Sequence, residues 1–376
     1  MLLPFLLISS QHSIRESAEV TRGMFAPPPG RAAPPAAKRA LHLSRRPRRV
    51  VQPPALPACP ALPVRVTSVE GASNKMSVEC LPVSERIVGG ARLLQDFARS
   101  AGKRVLIVFA HQEPLRSFNG ALKEAAVQAL SKQGCQVEVS DLYASTFNPV
   151  ATRADILGDL KSTESFRYGE ETAAAWEKGK LSQDIVNEQK KVQDADLVIF
   201  QFPLYWFSMP AIMKGWMDRV LTRGFAYGFP QFYESGPFTK KKALISITTG
   251  GMESMYGPTG VNGDINVILW PMQQGMLHFC GFQVLAPQIS WSPSFMPEEG
   301  RKGLVAMWEQ RLASVWQEKT LKFAPLELFD PKKGFVLNDD TVKNLSTKPQ
   351  GLTVGQHAGK PLPPNNQTKA NDASAE

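Results

Sequence analysis

Three aromatic residues in a row, Tyr205, Trp206 and Phe207, stand between Pro203 and Pro210 in the stretch QFPLYWFSMPAIMKGWMDR. DLVIF, Asp196 to Phe200, runs into them, and its apolar, β-branched character reads as a buried parallel strand. Pro210 opens a helix, where a missing N–H costs nothing. An aromatic loop at the carboxyl end of a buried strand, just ahead of a helix N-terminus, is where open α/β sheets receive ligands. Aromatic faces beside free backbone N–H groups suit a large, flat, polar-edged ring such as a flavin. The competing reading is a hydrophobic loop packed inside its own domain.

Two more strand ends carry loops of this kind. VLIVFAH (Val105 to His111) leads through QEPLRSFN into a helix, whose N-terminus attracts phosphate. There Ser117 and Asn119 offer side-chain donors or a helix cap, and Phe118 could lie over a ring. The loop is not GxGxxG, which disfavours a Rossmann dinucleotide fold. ITTGG (Ile247 to Gly251) sets Thr248, Thr249, Gly250 and Gly251 at a third strand end, where glycine N–H groups approach a ring edge closely. Tyr256 and Asn262 follow in MESMYGPTGVNGD, a phenol and a neutral amide able to stabilise a carbonyl that gains negative charge. FAYGF supplies Ala226, Tyr227, Gly228 and Phe229. Singly, each of these is an ordinary turn or a core aromatic. Their coincidence on one sheet edge points to a ligand site.

The elements that must hold these loops alternate. Strands are expected at Val105 to His111, in CQVEVSDL, at Asp196 to Phe202, at Ala243 to Thr249 and at Phe282 to Ile289. Helices are expected from Asn119 to Gly134, from Asp184, from Pro210 to Leu221, from Asp264 to Phe279 with a kink or break at Pro271, and from Pro297 to Trp316. Tyr143 to Leu181 reads as part loop, part short helix. Strands joined by helical crossovers make a doubly wound five-stranded parallel sheet of the α/β class. This places one domain at residues 101–316 and an irregular, partly ordered tail at 317–376.

Residues 1–100 read differently. They hold 13 of the 30 prolines, and 14 Lys/Arg against 6 Asp/Glu, so most of the chain's net charge of +9 lies there. Such a segment reads as a disordered extension, with an organelle transit peptide as the alternative. The remaining 29 basic and 28 acidic residues nearly cancel, which argues against nucleic acid as the domain's partner. MLLPFLLISS is too short for a membrane span. Cysteines at 59, 80, 135 and 280 show no paired spacing, which fits a reducing compartment such as the cytoplasm.

From residue 103 to about 325 the chain closely resembles the NAD(P)H:quinone oxidoreductase (DT-diaphorase) family. AHQEPLRSFN, SDLYA, DLVIFQFPLYWFSMPAIMKGWMDRV, ITTGG, GVNGD and LHFCGFQVLAPQ carry the likeness. The tail, with FAPLELFD and LTVGQHAGKPLPPNNQTKA, is similar to the long, nicotinamide-using type. The resemblance implies a flavodoxin-like fold, bound FAD and a homodimer with shared sites. It implies two-electron reduction of quinones by NADH or NADPH, in a ping-pong hydride transfer. Carried over, FAD contacts fall on His111, Ser117, Phe118, Asn119, Arg167, Leu204, Tyr205, Trp206, Phe207, Thr248 to Gly251, Tyr256 and Arg301. Substrates would stack beside Trp206, Phe207 and Phe279, with Ala226 to Phe229 arriving from the other subunit. Tyr256 and Asn262 would be the catalytic pair.

Some positions depart from the long-tailed type. Asn262 stands where a histidine is usual, and Asn262 and Tyr205 match the shorter type, which prefers dihydronicotinamide riboside. Gln274 replaces one zinc-binding histidine of that type and its C-terminal cysteine is missing, so no metal is expected despite His278. Phe229 replaces a tyrosine. Arg167 replaces a neutral amide, to pair with a flavin phosphate or to face solvent. A flavodoxin-like electron carrier or a binding protein is the alternative from another functional class.

Overall fold

The computed structural model describes residues 100–364 and 368–370. The N-terminal extension expected from composition lies outside the described residues, apart from Ser100.

Four strands, β1 (Arg104–Phe109), β2 (Gln136–Asp141), β3 (Leu197–Pro203) and β4 (Lys242–Thr248), form a parallel sheet in the order β2-β1-β3-β4. Two short pieces, β5 (Gln283–Val284) and β6 (Gln288–Ser290), both pair parallel with β4 and share the fifth position. The expected single strand from Phe282 to Ile289 is thus interrupted. Pro287 has no N–H for the ladder. The carbonyls of Ala286 and Pro287 turn instead to the Arg311 guanidinium, at 2.6 and 3.0 Å. The chain steps from β1 to β2 on one side and then returns to add β3 on the other, and this reversal of strand order puts the ligand crevice at the carboxyl ends of β1 and β3.

Helices cover both faces. On one face lie α1 (Phe118–Lys132) and, near the end of the domain, the helix Glu298–Leu312. They bury Leu122, Ala126, Leu130, Trp308 and Leu312 against Ile107, Leu197, Ile199 and Leu244. The Trp308 indole donates to the Leu122 carbonyl at 3.1 Å, so this ring is buried without an orphaned N–H. Between them in sequence come α2 (Tyr168–Glu177), α3 (Gln183–Asp194), α4 (Ala211–Val220) and α5 (Ile265–Met272); the helix Glu298–Leu312 is therefore α6. The other face is covered by α3, α4 and α5, which bury Val192, Met213, Trp216, Val220, Leu269 and Met272 against Val198, Phe200, Phe202 and Ile245. Each large apolar side chain buried in full contributes about 1.5–3 kcal/mol.

Pro271 does not end its helix. It lies inside α5, and the chain continues as a π-helix over Gln273–His278. The N–H that proline lacks would point back into α5, and the π-helix, a device found mostly at functional sites, begins two residues later. The tail adds a small hairpin, β7 (Phe329–Asp330) with β8 (Val336–Leu337), and a helix α7 (Asp339–Thr347) capped by Asn338. Among the described residues no helix is long and apolar enough to cross a membrane.

Candidate functional site

The turn after β3 is held in an uncommon conformation. Trp206 and Phe207 both take left-handed backbone angles, with φ of 49° and 58°. Tyr205 and Ser208 close the turn by exchanging backbone hydrogen bonds of 2.9 and 3.0 Å. Two positive φ values in succession are what a hairpin turn of this tightness demands, and Asn-Gly normally supplies them. For bulky residues each costs of order 1–3 kcal/mol and persists only where the surroundings enforce it. The enforcement is visible. The Leu204 N–H donates to the Thr248 carbonyl at 2.8 Å, and Met209 beyond the turn is buried. The strain presents Trp206 at 96 % exposure and Phe207 at 49 %. Large rings are held out of the core here at a cost in stability, which disfavours the reading of a loop packed within its own domain.

The neighbouring strand ends are tied to this turn by polar side chains. Ser117 caps α1, accepting from the Gly120 N–H at 3.0 Å, a cap worth about 1 kcal/mol. A Cβ at Gly120 would fall 2.1 Å from the Pro114 carbonyl oxygen, so glycine lets the loop lie on the first turn of the helix. The Asn119 amide is not free to meet a ligand. It is buried, donates to the Thr248 hydroxyl at 2.9 Å and accepts from Gln201 at 2.8 Å. Asn119 therefore presents only its backbone N–H, one of the unsatisfied donors of a helix's first turn. The Thr249 hydroxyl is likewise committed, donating to the Gly251 carbonyl at 2.8 Å and accepting from the Ser292 N–H at 3.2 Å. What remains open at this strand end is the backbone of Gly250, where a Cβ would meet nothing within 4 Å; at Gly251 a Cβ would already press on the Tyr256 ring at 3.0 Å and on Met255. His111 accepts the Glu113 N–H at its Nδ1, at 2.9 Å, and burial pulls its pKa down, so its imidazole is neutral at neutral pH.

Tyr256 is buried, its ring 6.4 Å from that of Phe207 and 5.3 Å from Trp291. The Asn262 N–H donates to the Met255 carbonyl at 2.9 Å, which folds the glycine-rich loop back and brings Asn262 beside Tyr256 in the chain path. Tyr256, Asn262, Trp206 and Phe207 thus belong to one edge of the sheet. Arg301 lies near the start of α6 and turns one guanidinium nitrogen to the Met296 carbonyl at 2.6 Å. Arg167 faces solvent and pairs with Glu170 at 3.0 Å. Of its two expected roles, the solvent-facing one describes its position.

The residues expected to receive substrate form a second aromatic group. Phe279 does not join Trp206 and Phe207. Its ring lies 5.3 Å from Tyr227 and 6.1 Å from Phe232, which in turn stacks on Phe229 at 6.0 Å. The π-helix is the reason: it sets Phe279 at its carboxyl end and turns it toward the FAYGF loop. Ala226 is fully buried beneath this loop and Phe229 is 65 % exposed. The tail closes the group, with Phe335 edge-on to Phe232 at 6.1 Å and Phe323 stacked on His278 at 4.4 Å. Gln112, Tyr143, Gln201, Phe232 and Trp291 were not singled out in the sequence. Gln112, Tyr143 and Gln201 lie inside the family-like stretches AHQEPLRSFN, SDLYA and DLVIFQFPLYWF, and Phe232 is an aromatic near FAYGF, which is the signal each carries.

A model of the Flavodoxin-like fold matches residues 103–312. The chain is 52 % identical over 273 residues to NAD(P)H dehydrogenase [quinone] 1 of Cavia porcellus, covering 72 % of this chain and 99 % of that one. It is 61 % identical over 221 residues to the ribosyldihydronicotinamide dehydrogenase [quinone] of Homo sapiens, covering 59 % of this chain and 95 % of that one. Among solved structures, a Klebsiella pneumoniae protein described as a quinone reductase superposes with a TM-score of 0.61 at 38 % identity, over 64 % of this chain and 95 % of the other.

Proposed function

We propose a function from one premise: the chain belongs to the flavodoxin-like fold family and, within it, to the NAD(P)H:quinone oxidoreductases. It is an oxidoreductase that reduces quinones with a flavin, which we take to be FAD. The single observation that supports this most directly is the strained turn. Two consecutive left-handed aromatic residues, one of them almost wholly exposed, make a platform for a flat ring. The open side of Gly250, where a Cβ would meet nothing within 4 Å, leaves room for the polar edge of such a ring.

A flavin bound there would supply the hydride chemistry between a reduced nicotinamide and a quinone, two electrons at a time. The chain's own residues position and stabilise. The backbone of Leu204 to Phe207 and of Gly250 and Gly251 holds the ring edge, and Phe118 and the first turn of α1 lie where phosphate is favoured. His111 and Arg301 border that side. Trp206 and Phe207 supply a stacking face. Tyr256 and Asn262 donate hydrogen bonds toward carbonyl oxygen that gains charge. Asn262 cannot become cationic, so proton delivery rests on the Tyr256 hydroxyl or on water. Tyr227, Phe229 and Phe279 complete the substrate site of a second copy in a homodimer. The buried free thiols Cys135 and Cys280 suit the cytoplasm.

The electron donor is NADH or NADPH. The tail supports this, because it packs on the substrate-side aromatics through Phe323 and Phe335 and because the long match to the NAD(P)H-using relative exceeds the match to the riboside-using one. Asn262 and the higher identity to the riboside-using relative favour a second reading, dihydronicotinamide riboside as donor. Steady-state kinetics on purified protein separates them. Robust menadione reduction with NADPH is expected. Negligible turnover with NADH and NADPH beside rapid turnover with dihydronicotinamide riboside would replace the first reading by the second, and a visible spectrum without flavin bands would overturn both.

A further inference from the structure

The turn that carries Trp206 is anchored at its first corner by a side-chain bridge that crosses three loops. The Tyr205 hydroxyl donates to Gln112 Oε1 at 3.3 Å, and Gln112 Nε2 donates to the Tyr143 hydroxyl at 3.0 Å. Gln112 follows β1, Tyr143 follows β2 and Tyr205 follows β3, so one amide joins the carboxyl ends of three adjacent strands. Its geometry suits the task. A glutamine side chain accepts at one atom and donates at the other, and here each end meets a phenol. Burial pushes the Tyr143 phenol's pKa up and nearby Tyr205 pushes it the same way, so this partner stays protonated at neutral pH.

We propose that Gln112 is a positioning residue for quinone reduction: bridging Tyr143 and Tyr205, it pins the left-handed Trp206–Phe207 turn and so fixes the plane on which the quinone lies. The backbone reason is the strain. Two bulky residues at positive φ relax unless their flanks are fixed. The Ser208 side of the turn is fixed by buried Met209; on the other side the Leu204 N–H bond to the Thr248 carbonyl holds the backbone, and the bridge is what holds the Tyr205 side chain, whose residue is 39 % exposed. Gln112 is exposed and Tyr205 is 39 % exposed, so removing the glutamine amide or the Tyr205 hydroxyl leaves the fold intact. The inference rests on the quinone-reductase reading, because it assigns the turn's rings to the substrate.

The test uses the full-length protein and the variants Gln112→Leu, Tyr205→Phe and the double variant. Each single variant is expected to keep its flavin absorbance and to raise the quinone KM about threefold to tenfold with little change in kcat, the size of one net hydrogen bond. The double variant is expected to match the larger single effect, because both act through one bridge. Hydrogen exchange at the Tyr205 and Ser208 amides should quicken in Gln112→Leu. Unchanged quinone KM in both single variants, independent effects that multiply, or unchanged exchange would overturn the proposal. Wild-type protein without flavin or quinone turnover would instead overturn the family-based function, while the exchange comparison would still judge the bridge.

Discussion

Trp206 and Phe207 stand on a turn fixed by its own backbone hydrogen bonds, while Tyr227, Phe229, Phe232 and Phe279 stand on loops that hold one another by ring contact. In the first group the backbone is strained, the Trp206 ring is free and the half-exposed Phe207 ring touches Tyr256 on one side. In the second, Tyr227, Phe229, Phe232 and Phe279 have no left-handed backbone angle and their rings are engaged, down to the tail residues Phe323 and Phe335 on their flank; the positive φ values there, 50° at Tyr233 and 61° at Phe335, belong to residues packed on Phe232 from outside this set. The difference assigns the two groups different sensitivities. The first should lose function without losing stability, and the second should lose both together.

The largest effect is expected where the second group depends on backbone contact. Gly236 lies against the Cys280–Gly281 backbone, and a Cβ there would sit 2.6 Å from the Cys280 carbonyl. Backbone cannot move aside as a side chain does, so Gly236→Ala should cost about 3 kcal/mol, the upper part of the overpacking range. For a domain of this size that lowers the thermal midpoint by about 6–12 °C. Calorimetry measures it directly. A shift below about 2 °C would mean that the Tyr227–Phe279 group is not anchored by this contact.

The first group is broken in the opposite way. Trp206→Gly removes an exposed stacking ring and places glycine at φ of 49°, which it adopts freely. Quinone kcat/KM should fall about tenfold to a hundredfold. The same variant should gain about 1 kcal/mol in stability, since relief of strain exceeds glycine's added unfolded-state entropy. Phe232→Gly, at an ordinary φ of -153° and with its ring packed, should instead lose about 2 kcal/mol. Denaturant midpoints of the two variants moving in the same direction would dissolve the distinction between the groups.

How far each group was legible in the sequence follows from how it is made. The first lay at a strand end between two prolines, and strand, loop and helix appear there in order. The left-handed angles at Trp206 and Phe207 were not legible, because local preference for aromatic residues opposes them. The Asn119 amide reads in sequence as a ligand donor, but it serves Gln201 and Thr248, which lie 82 and 129 residues away. The bridge from Gln112 is equally remote, with partners 31 and 93 residues distant. The second group was legible only as separate aromatics. A π-helix after Pro271 decides that Phe279 faces Tyr227, and hydrophobic periodicity carries no signal for a π-helix.

The smallest effect tests whether acid loosens the second group alone. The His278 side chain is 14 % exposed, stacked on Phe323 and beside Tyr233, with Glu234 Oε1 3.3 Å from its Nε2. Burial lowers its pKa below the ordinary 6.5, and Glu234 offsets that only in part. A histidine with a depressed folded pKa is protonated more readily in the unfolded chain. Its contribution to stability is therefore intact above about pH 6.5, declines as the pH falls below that value, and levels off once the folded pKa is passed. His278→Phe keeps the stack on Phe323 and removes the titration. Its denaturant midpoint should change less than the wild type's between pH 7.5 and pH 5, by a modest margin, since His111 on the first group's side is also held down by burial and continues to titrate. If the variant keeps the full acid sensitivity, the loss belongs to His111, and acid acts on the strained turn's side of the molecule instead.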